Sequence, residues 1–168
     1  MSDYGEVMHG RAWKFDHDIS TDLLSPGNFA VDPVEVRMLH CLESISPDFA
    51  AEVRPGDVVI AGTNFGCGSS RETAAENLKA LGVACIVAES LSRLFMRNAV
   101  AIGLPVLICD GVHDTFADGD EVAIDLTKGT ITSGDGERAL QGESLPPEMR
   151  EILDAGGILA LLASQTAG

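Results

Sequence analysis

Apolar residues follow two rhythms along this chain, and the alternation between them predicts most of its elements. Residues 57–62 form a short apolar run bounded by turn residues, the pattern of a buried strand. Residues 73–81 read as a helix, with Gly82 placed to end it. A strand over 83–88, a helix over 91–102 and a strand over 105–109 continue the series. In that second helix the apolar positions 91, 94, 95, 99 and 102 share one face, and Gly103 closes it. Upstream, residues 9–15 read as a first strand running into the acidic loop at 16–22, and Pro33 opens a short helix that reaches Cys41. Downstream, residues 121–126 and 130–132 flank a Thr127-Lys128-Gly129 turn and predict a β-hairpin. A last short helix covers 146–155 and stops at Gly156-Gly157. The strand–helix alternation from 58 to 109, with β-rich ends, predicts an α/β fold, and 168 residues suit a single domain spanning 1–168.

Composition narrows the function. Hydrophobic residues make up 45%, which excludes general disorder. No apolar run reaches membrane-spanning length, and Met1 to Glu6 lack the basic-then-apolar form of a signal peptide, so a cytoplasmic chain without membrane contact is expected. A net charge of −15 argues against nucleic acid, whose binding needs clustered Lys and Arg. The cysteines at 41, 67, 85 and 109 contain no C-x-x-C pair and fit neither a zinc site nor an iron–sulfur ligand run. No metal or cofactor is therefore expected on this chain itself. Cys85 and Cys109 lie in apolar strand-like segments and read as buried thiols. Cys67 reads as a small residue in a tight turn rather than a nucleophile, since no base lies near it in sequence. His17 between Asp16 and Asp18 reads as a solvated turn, because three adjacent positions do not easily converge on one ion.

The densest chemistry lies in Asn64-Phe65-Gly66-Cys67-Gly68-Ser69-Ser70-Arg71-Glu72. Ser69 and Glu72 have the capping-box spacing for the helix that follows. Unpaired amides at a helix start, with Arg71 beside them, suit a carboxylate or phosphate. A well-capped turn without a ligand stays an equal alternative on this pattern alone. Arg93 and Arg97 add positive charge nearby, and a salt-bridged helix face is the simpler reading of that pair. The segment is no phosphate-binding P-loop, because Gly-Lys-Ser/Thr is missing, and no dinucleotide fingerprint, because Arg71 stands where its third glycine belongs.

Taken together, several segments resemble the small subunits of the isopropylmalate dehydratase and homoaconitase group, within the aconitase superfamily. They are residues 10–15, the Ser20-Thr21-Asp22 turn, residues 64–72, residues 93–99, Gly103-Leu104-Pro105 and residues 153–157. The resemblance spans essentially the whole length. It implies a swivelling β/β/α domain of the aconitase C-terminal type that forms one wall of an active site. It also implies an iron–sulfur large subunit that carries a [4Fe-4S] cluster and forms the other wall. The implied reaction moves a hydroxyl between adjacent carbons of a di- or tricarboxylate by dehydration and rehydration. By the same resemblance, Ser69 is the catalytic base in its alkoxide form, Arg71 holds a substrate carboxylate, and Ser70 assists. Thr21 and Asp22 line the site, with Asp22 orienting Arg71 or a partner group. Self-association of the isolated chain is a further expectation.

Three departures bear on the substrate. Thr73 stands where the family usually has His after Ser-Arg-Glu. Pro26-Gly27-Asn28-Phe29-Ala30-Val31-Asp32 replaces the common Pro-Ala-Arg-Tyr-Leu segment, so Phe29, Ala30 and Val31 become the side-chain-selecting positions. No Arg occurs between 28 and 32, and Asp32 adds a negative charge, which favours a small or apolar substituent over a third carboxylate. The first expectation is thus a 3-isopropylmalate dehydratase small subunit in leucine biosynthesis. A related dehydratase for methylmalate, dimethylmalate or homoaconitate remains open, as does a non-catalytic dicarboxylate-binding subunit.

Overall fold

The structure, a computed structural model, describes residues 7–69 and 71–166. Ser70, read above as a binding residue, and the opening Met1 to Glu6 lie outside the described residues. The chain starts with β1 (Met8–Lys14), α1 (Thr21–Leu24), α2 (Val34–Arg37) and α3 (Phe49–Glu52). The α/β centre follows as β2 (Val58–Ala61), α4 (Glu72–Ala80), β3 (Cys85–Ala88), α5 (Arg93–Ala101) and β4 (Val106–Ile108). Next come α6 (Val112–Thr115), β5 (Glu121–Asp125), β6 (Thr130–Ser133) and β7 (Ala139–Gln141), then α7 (Pro147–Ala155) and α8 (Ile158–Thr166).

All these strands join one seven-stranded sheet in the order β4-β3-β2-β1-β5-β6-β7. β1 to β4 are mutually parallel, and β5 to β7 continue antiparallel from β1. Every residue of β2 and β3 is buried, as parallel strands covered on both faces require. Their side chains alternate between two cores. Val59, Ala61, Ile86 and Ala88 meet Ala74, Leu78, Phe95 and Ala99 from the helices α4 and α5. Val58, Ile60, Cys85 and Val87 meet Val112 and Phe116 with Val122, Ile124 and Ile131 of the hairpin. The α/β expectation holds, and the sheet adds its antiparallel wing to the parallel centre.

The parallel strands all end at one edge of the sheet, where α/β proteins bind their ligands. The loops leaving β1, β2 and β3 are stitched together there. Gly66 N–H donates to the Ile19 carbonyl at 2.7 Å, Thr21 N–H to Cys67 at 2.8 Å, and Ser92 N–H to Phe65 at 2.9 Å. A side chain at Gly66 would place its Cβ 2.3 Å from the Phe95 ring, and φ there is +81°, so only glycine lets this loop lie on α5.

Several expectations change. The helix predicted over 33–41 is only α2 followed by a 3₁₀ turn at Met38–His40, with Pro33 as its N-cap. Leu94 is 49% exposed, because the buried face of α5 is Phe95, Ala99 and Val100 and Leu94 lies off it. Arg93 and Arg97 are exposed but form no ion pair among the described residues. Helical spacing explains this: three and four residues on from Arg93 in α5 stand Met96 and Arg97, and from Arg97 stand Val100 and Ala101, so neither arginine meets a carboxylate along the helix. No helix among the described residues is long and apolar enough to cross a membrane.

Candidate active site

Two segments build the site, one from each of the central strands. After β1, Ser20 caps α1, its Oγ accepting Leu23 N–H at 3.2 Å. This fixes Thr21 and Asp22 in the first turn, with Thr21 buried and Asp22 open to solvent. After β2, the loop takes positive φ at Asn64, Gly66 and Gly68 and delivers Ser69 and Arg71 opposite that turn. Gly68 passes close to Thr21, where an added Cβ would stand 3.3 Å from Thr21 Oγ1.

The predicted capping box is absent. Arg71, not Ser69, occupies the N-cap of α4, with no side-chain capping bond, and the helix begins at Glu72. The cause is the grip on Ser69: its carbonyl accepts both Thr21 Oγ1 at 3.0 Å and Arg71 N–H at 2.9 Å, which bends the chain before the helix starts. Ser69 Oγ is left uncommitted to the helix and faces Thr21 Oγ1 at 3.4 Å. Ser69 itself is exposed.

Arg71 is held from the α1 side. Its Nη1 contacts Asp22 Oδ1 at 2.6 Å and donates to the Ser25 carbonyl at 2.8 Å. Gly27 lies beneath the guanidinium, since a Cβ there would come within 3.7 Å of Nη2. Both contacts fall on Nη1, so among the described residues the rest of the planar fork stays available for an incoming carboxylate. Thr21, Asp22, Ser69 and Arg71 are therefore brought together as the sequence predicts.

The selecting positions are arranged differently. Phe29 closes a 3₁₀ turn (Gly27–Phe29), and its ring stacks on His40 with centroids 3.5 Å apart. Ala30 is half-buried, and Val31 is 96% exposed. Of the three, Val31 stands free. Sequence reasoning missed Ser25, buried at 1% exposure, whose Oγ lies 2.7 Å from Thr73 Oγ1. It also missed Arg37 and Asn77, two buried polar side chains behind the site. An Asn among Ala74, Ala75 and Leu78 on the inner face of a helix was the available signal.

His17 is more than a solvated turn. Its Nδ1 accepts Thr63 N–H at 2.8 Å, and its ring covers Gly62, tying the β1 loop to the β2 loop. Among the described residues no group of three or more His, Cys, Asp or Glu side chains is placed to hold a metal ion. A cleft of about 510 Å³ lies behind the same loop, lined by Trp13, Phe15, His17 and Ile45 among others, and neither Ser69 nor Arg71 lines it. At the candidate site itself Ser69 and Asp22 are exposed.

Residues 46–109 match the family model described as Aconitase C-terminal domain. Over 94% of its length the chain is 45% identical to the 3-isopropylmalate dehydratase small subunit 1 of Methanopyrus kandleri, covering 93% of that protein. It is 40% identical over 96% of both chains to the isopropylmalate/citramalate isomerase small subunit of Methanocaldococcus jannaschii. The fold superposes on a crystal structure of 3-isopropylmalate dehydratase from M. jannaschii with a TM-score of 0.91, at 37% identity and 96% coverage of each. The chain belongs to the 3-isopropylmalate dehydratase small-subunit family. Its α/β fold is thus the aconitase-type swivelling domain.

Proposed function

We propose that this chain is the small subunit of a hydro-lyase that isomerises a 2-hydroxy dicarboxylate, 3-isopropylmalate first among them, by dehydration and rehydration in leucine biosynthesis. The observation that carries the reading is the convergence of Ser69 Oγ, Thr21 Oγ1 and the half-anchored Arg71 fork on one exposed edge of the parallel sheet. An exposed site suits a second wall: proton abstraction beside a carboxylate needs a dry, preorganised setting. In this reading that wall, and the [4Fe-4S] cluster, belong to an iron–sulfur large subunit. When bound there, the cluster supplies Lewis-acid polarisation of the substrate hydroxyl. This chain's own described residues do not fit a cluster, since they offer no metal-holding group and three of the four cysteines are buried.

The remaining work falls to this chain. Arg71 binds a substrate carboxylate through the part of its guanidinium that Asp22 and Ser25 leave free. Ser69 Oγ, in its alkoxide form, takes the proton from the carbon beside that carboxylate and becomes the hydroxyl, which returns the proton on rehydration. Thr21 supports the alkoxide before that step: the Thr21 hydroxyl donates to the Ser69 carbonyl and lies within reach of Ser69 Oγ, so it can turn its proton to the alkoxide. Ser70 would assist, as the resemblance implies. Phe29, Ala30 and Val31 follow the turn over Arg71 and would meet the substrate's side chain. Four free cysteines accord with a reducing, cytoplasmic setting.

A second substrate is favoured by one observation. The segment offers only small or apolar groups at Ala30 and Val31, which suit a methyl as well as an isopropyl substituent, and one relative is named for both isopropylmalate and citramalate. A non-catalytic binding role is not favoured, because the relatives are named as dehydratase and isomerase subunits. The test is co-expression with the candidate large subunit and anaerobic cluster reconstitution. Alkene absorbance is then followed with isopropylmalate, citramalate, dimethylmalate and homocitrate. Turnover of isopropylmalate that Ser69→Ala abolishes, with the complex still assembled, is the expected result. An active Ser69→Ala complex refutes the base role.

A further inference from the structure

Arg37 is a cation at 7% exposure, and Asn77 is fully buried. Burying such groups is costly unless every polar atom is met, and replacing them with apolar residues is often neutral or stabilising. Their presence calls for a role beyond stability. The contacts show where they act. Arg37 Nε donates to the Asp32 carbonyl at 2.8 Å, Nη1 to Asn77 Oδ1 at 3.1 Å, and Nη2 to Glu76 Oε2 at 2.8 Å. Asn77 Nδ2 in turn donates to the Leu24 carbonyl at 3.1 Å.

These bonds join three pieces of the site. Leu24 ends α1, and the next carbonyl, Ser25, holds Arg71. Asp32 directly follows Val31. Asn77 lies on α4, whose N-cap is Arg71. One guanidinium and one amide thus span from the carboxylate-binding arginine's support to the end of the selecting segment. Phe29 is fixed separately by its stack on His40, so the Arg37 bond to Asp32 pins the other end of 29–32.

We propose that Arg37 and Asn77 form a buried clasp that sets residues 29–32 relative to Arg71 and thereby sets discrimination between branched and smaller substituents on the 2-hydroxy dicarboxylate. Both are positioning residues, acting through Val31 and its neighbours and not on the substrate. The inference rests on the reading of 29–31 as substrate-facing given under the proposed function.

The test uses Arg37→Lys, which can keep one contact but lacks the fork that reaches Asp32, Asn77 and Glu76 together. Asn77→Asp is the second variant, retaining an acceptor for Arg37 while losing the donor to Leu24. Glu76→Gln is the control, because it touches only the half-exposed arm of the network. Hydrogen exchange at residues 29–32 is measured on the isolated chain. The ratio of kcat/KM for isopropylmalate over citramalate is measured on the reconstituted complex. Arg37→Lys and Asn77→Asp should speed exchange at 29–32 and lower the ratio by about tenfold, mainly through KM, the size of one lost charge-assisted hydrogen bond. Glu76→Gln should leave both unchanged. Equal losses on the two substrates, or unaltered exchange at 29–32, overturn the clasp as a selectivity device. If the wild-type complex turns over neither substrate, the functional reading fails and the selectivity role with it. The exchange data on the isolated chain then distinguish that failure from a clasp that does not hold.

Discussion

Asp22 Oδ1 lies 2.6 Å from Arg71 Nη1, and the same nitrogen donates to the Ser25 carbonyl at 2.8 Å. The pair is as much a positional device as an energetic one. Asp22 is 71% exposed at its side chain, where ion pairs contribute at most about 1 kcal/mol to stability. Its use is to fix the plane of the guanidinium. Arg71→Lys should cut kcat/KM of the reconstituted complex by about 100-fold or more, since lysine cannot offer the bidentate fork. Asp22→Asn should raise KM by roughly 3- to 10-fold with little change in thermal midpoint. Steady-state kinetics beside thermal melts decide it; a large fall in melting temperature with unchanged KM would contradict the positional role.

Thr73 Oγ1 lies 2.7 Å from Ser25 Oγ. Ser25 is almost fully buried, so Thr73→Val leaves a hydroxyl without its partner at a cost of about 1–3 kcal/mol. Because the Ser25 carbonyl anchors Arg71, the substitution should also raise KM. Thr73→Ser should restore both. Urea denaturation and substrate titration of the two variants check this, and an unchanged KM in Thr73→Val would separate Ser25 from the site.

Much of this was legible in the sequence, for identifiable reasons. The strands β2 and β3 and the helix α4 announce themselves because burial on both faces forces continuous apolar runs, and because Gly82 at φ +91° marks the helix end. Thr21, Asp22, Ser69 and Arg71 stand out through motif and resemblance, and the structure adds their convergence. The mistaken capping box shows the limit of local reasoning. Ser69 and Glu72 have the right spacing, but a hydroxyl 48 residues away, on Thr21, takes the Ser69 carbonyl and delays the helix. α8 went unread because Ile158-Leu159-Ala160-Leu161-Leu162 is apolar all round and carries no period. β7 is three residues long, too short for any alternation to register. The Arg37–Asn77 clasp pairs residues 40 apart, which only the fold brings together.

Gly66 is the point at which the loop after β2 meets α5. Its φ of +81° and the 2.3 Å approach that an added Cβ would make to Phe95 act together. Gly66→Ala should therefore destabilise by about 2–4 kcal/mol, combining left-handed strain with overpacking. Gly119→Ala, also at positive φ but with open space around its Cβ, should cost only the strain, about 1 kcal/mol. Comparing the two by denaturation isolates the packing part; equal costs would mean that Phe95 simply yields.

Three of the four thiols are sealed in the core, and this makes a pH prediction with a definite sign. Burial pushes Cys109 up to about 11, with the charges of Asp110 and Glu89 adding to it, and burial alone pushes Cys41 and Cys85 higher still. In the unfolded chain these thiols ionise near the ordinary value of about 8.5. Below that pH both states hold the proton and the contribution to stability is complete. Above it the unfolded chain loses protons that the folded chain keeps, so stability falls as pH rises, by up to about 1.4 kcal/mol per pH unit for each thiol. Urea midpoints at pH 8 and pH 10 should show the fall, and Cys85→Ala should lessen it. Thiol reagents at pH 8 should label Cys67 alone in the folded chain and all four cysteines after denaturation. Rapid labelling of Cys41 or Cys85 in the folded chain would contradict the sealed core, and with it the sign of the alkaline trend.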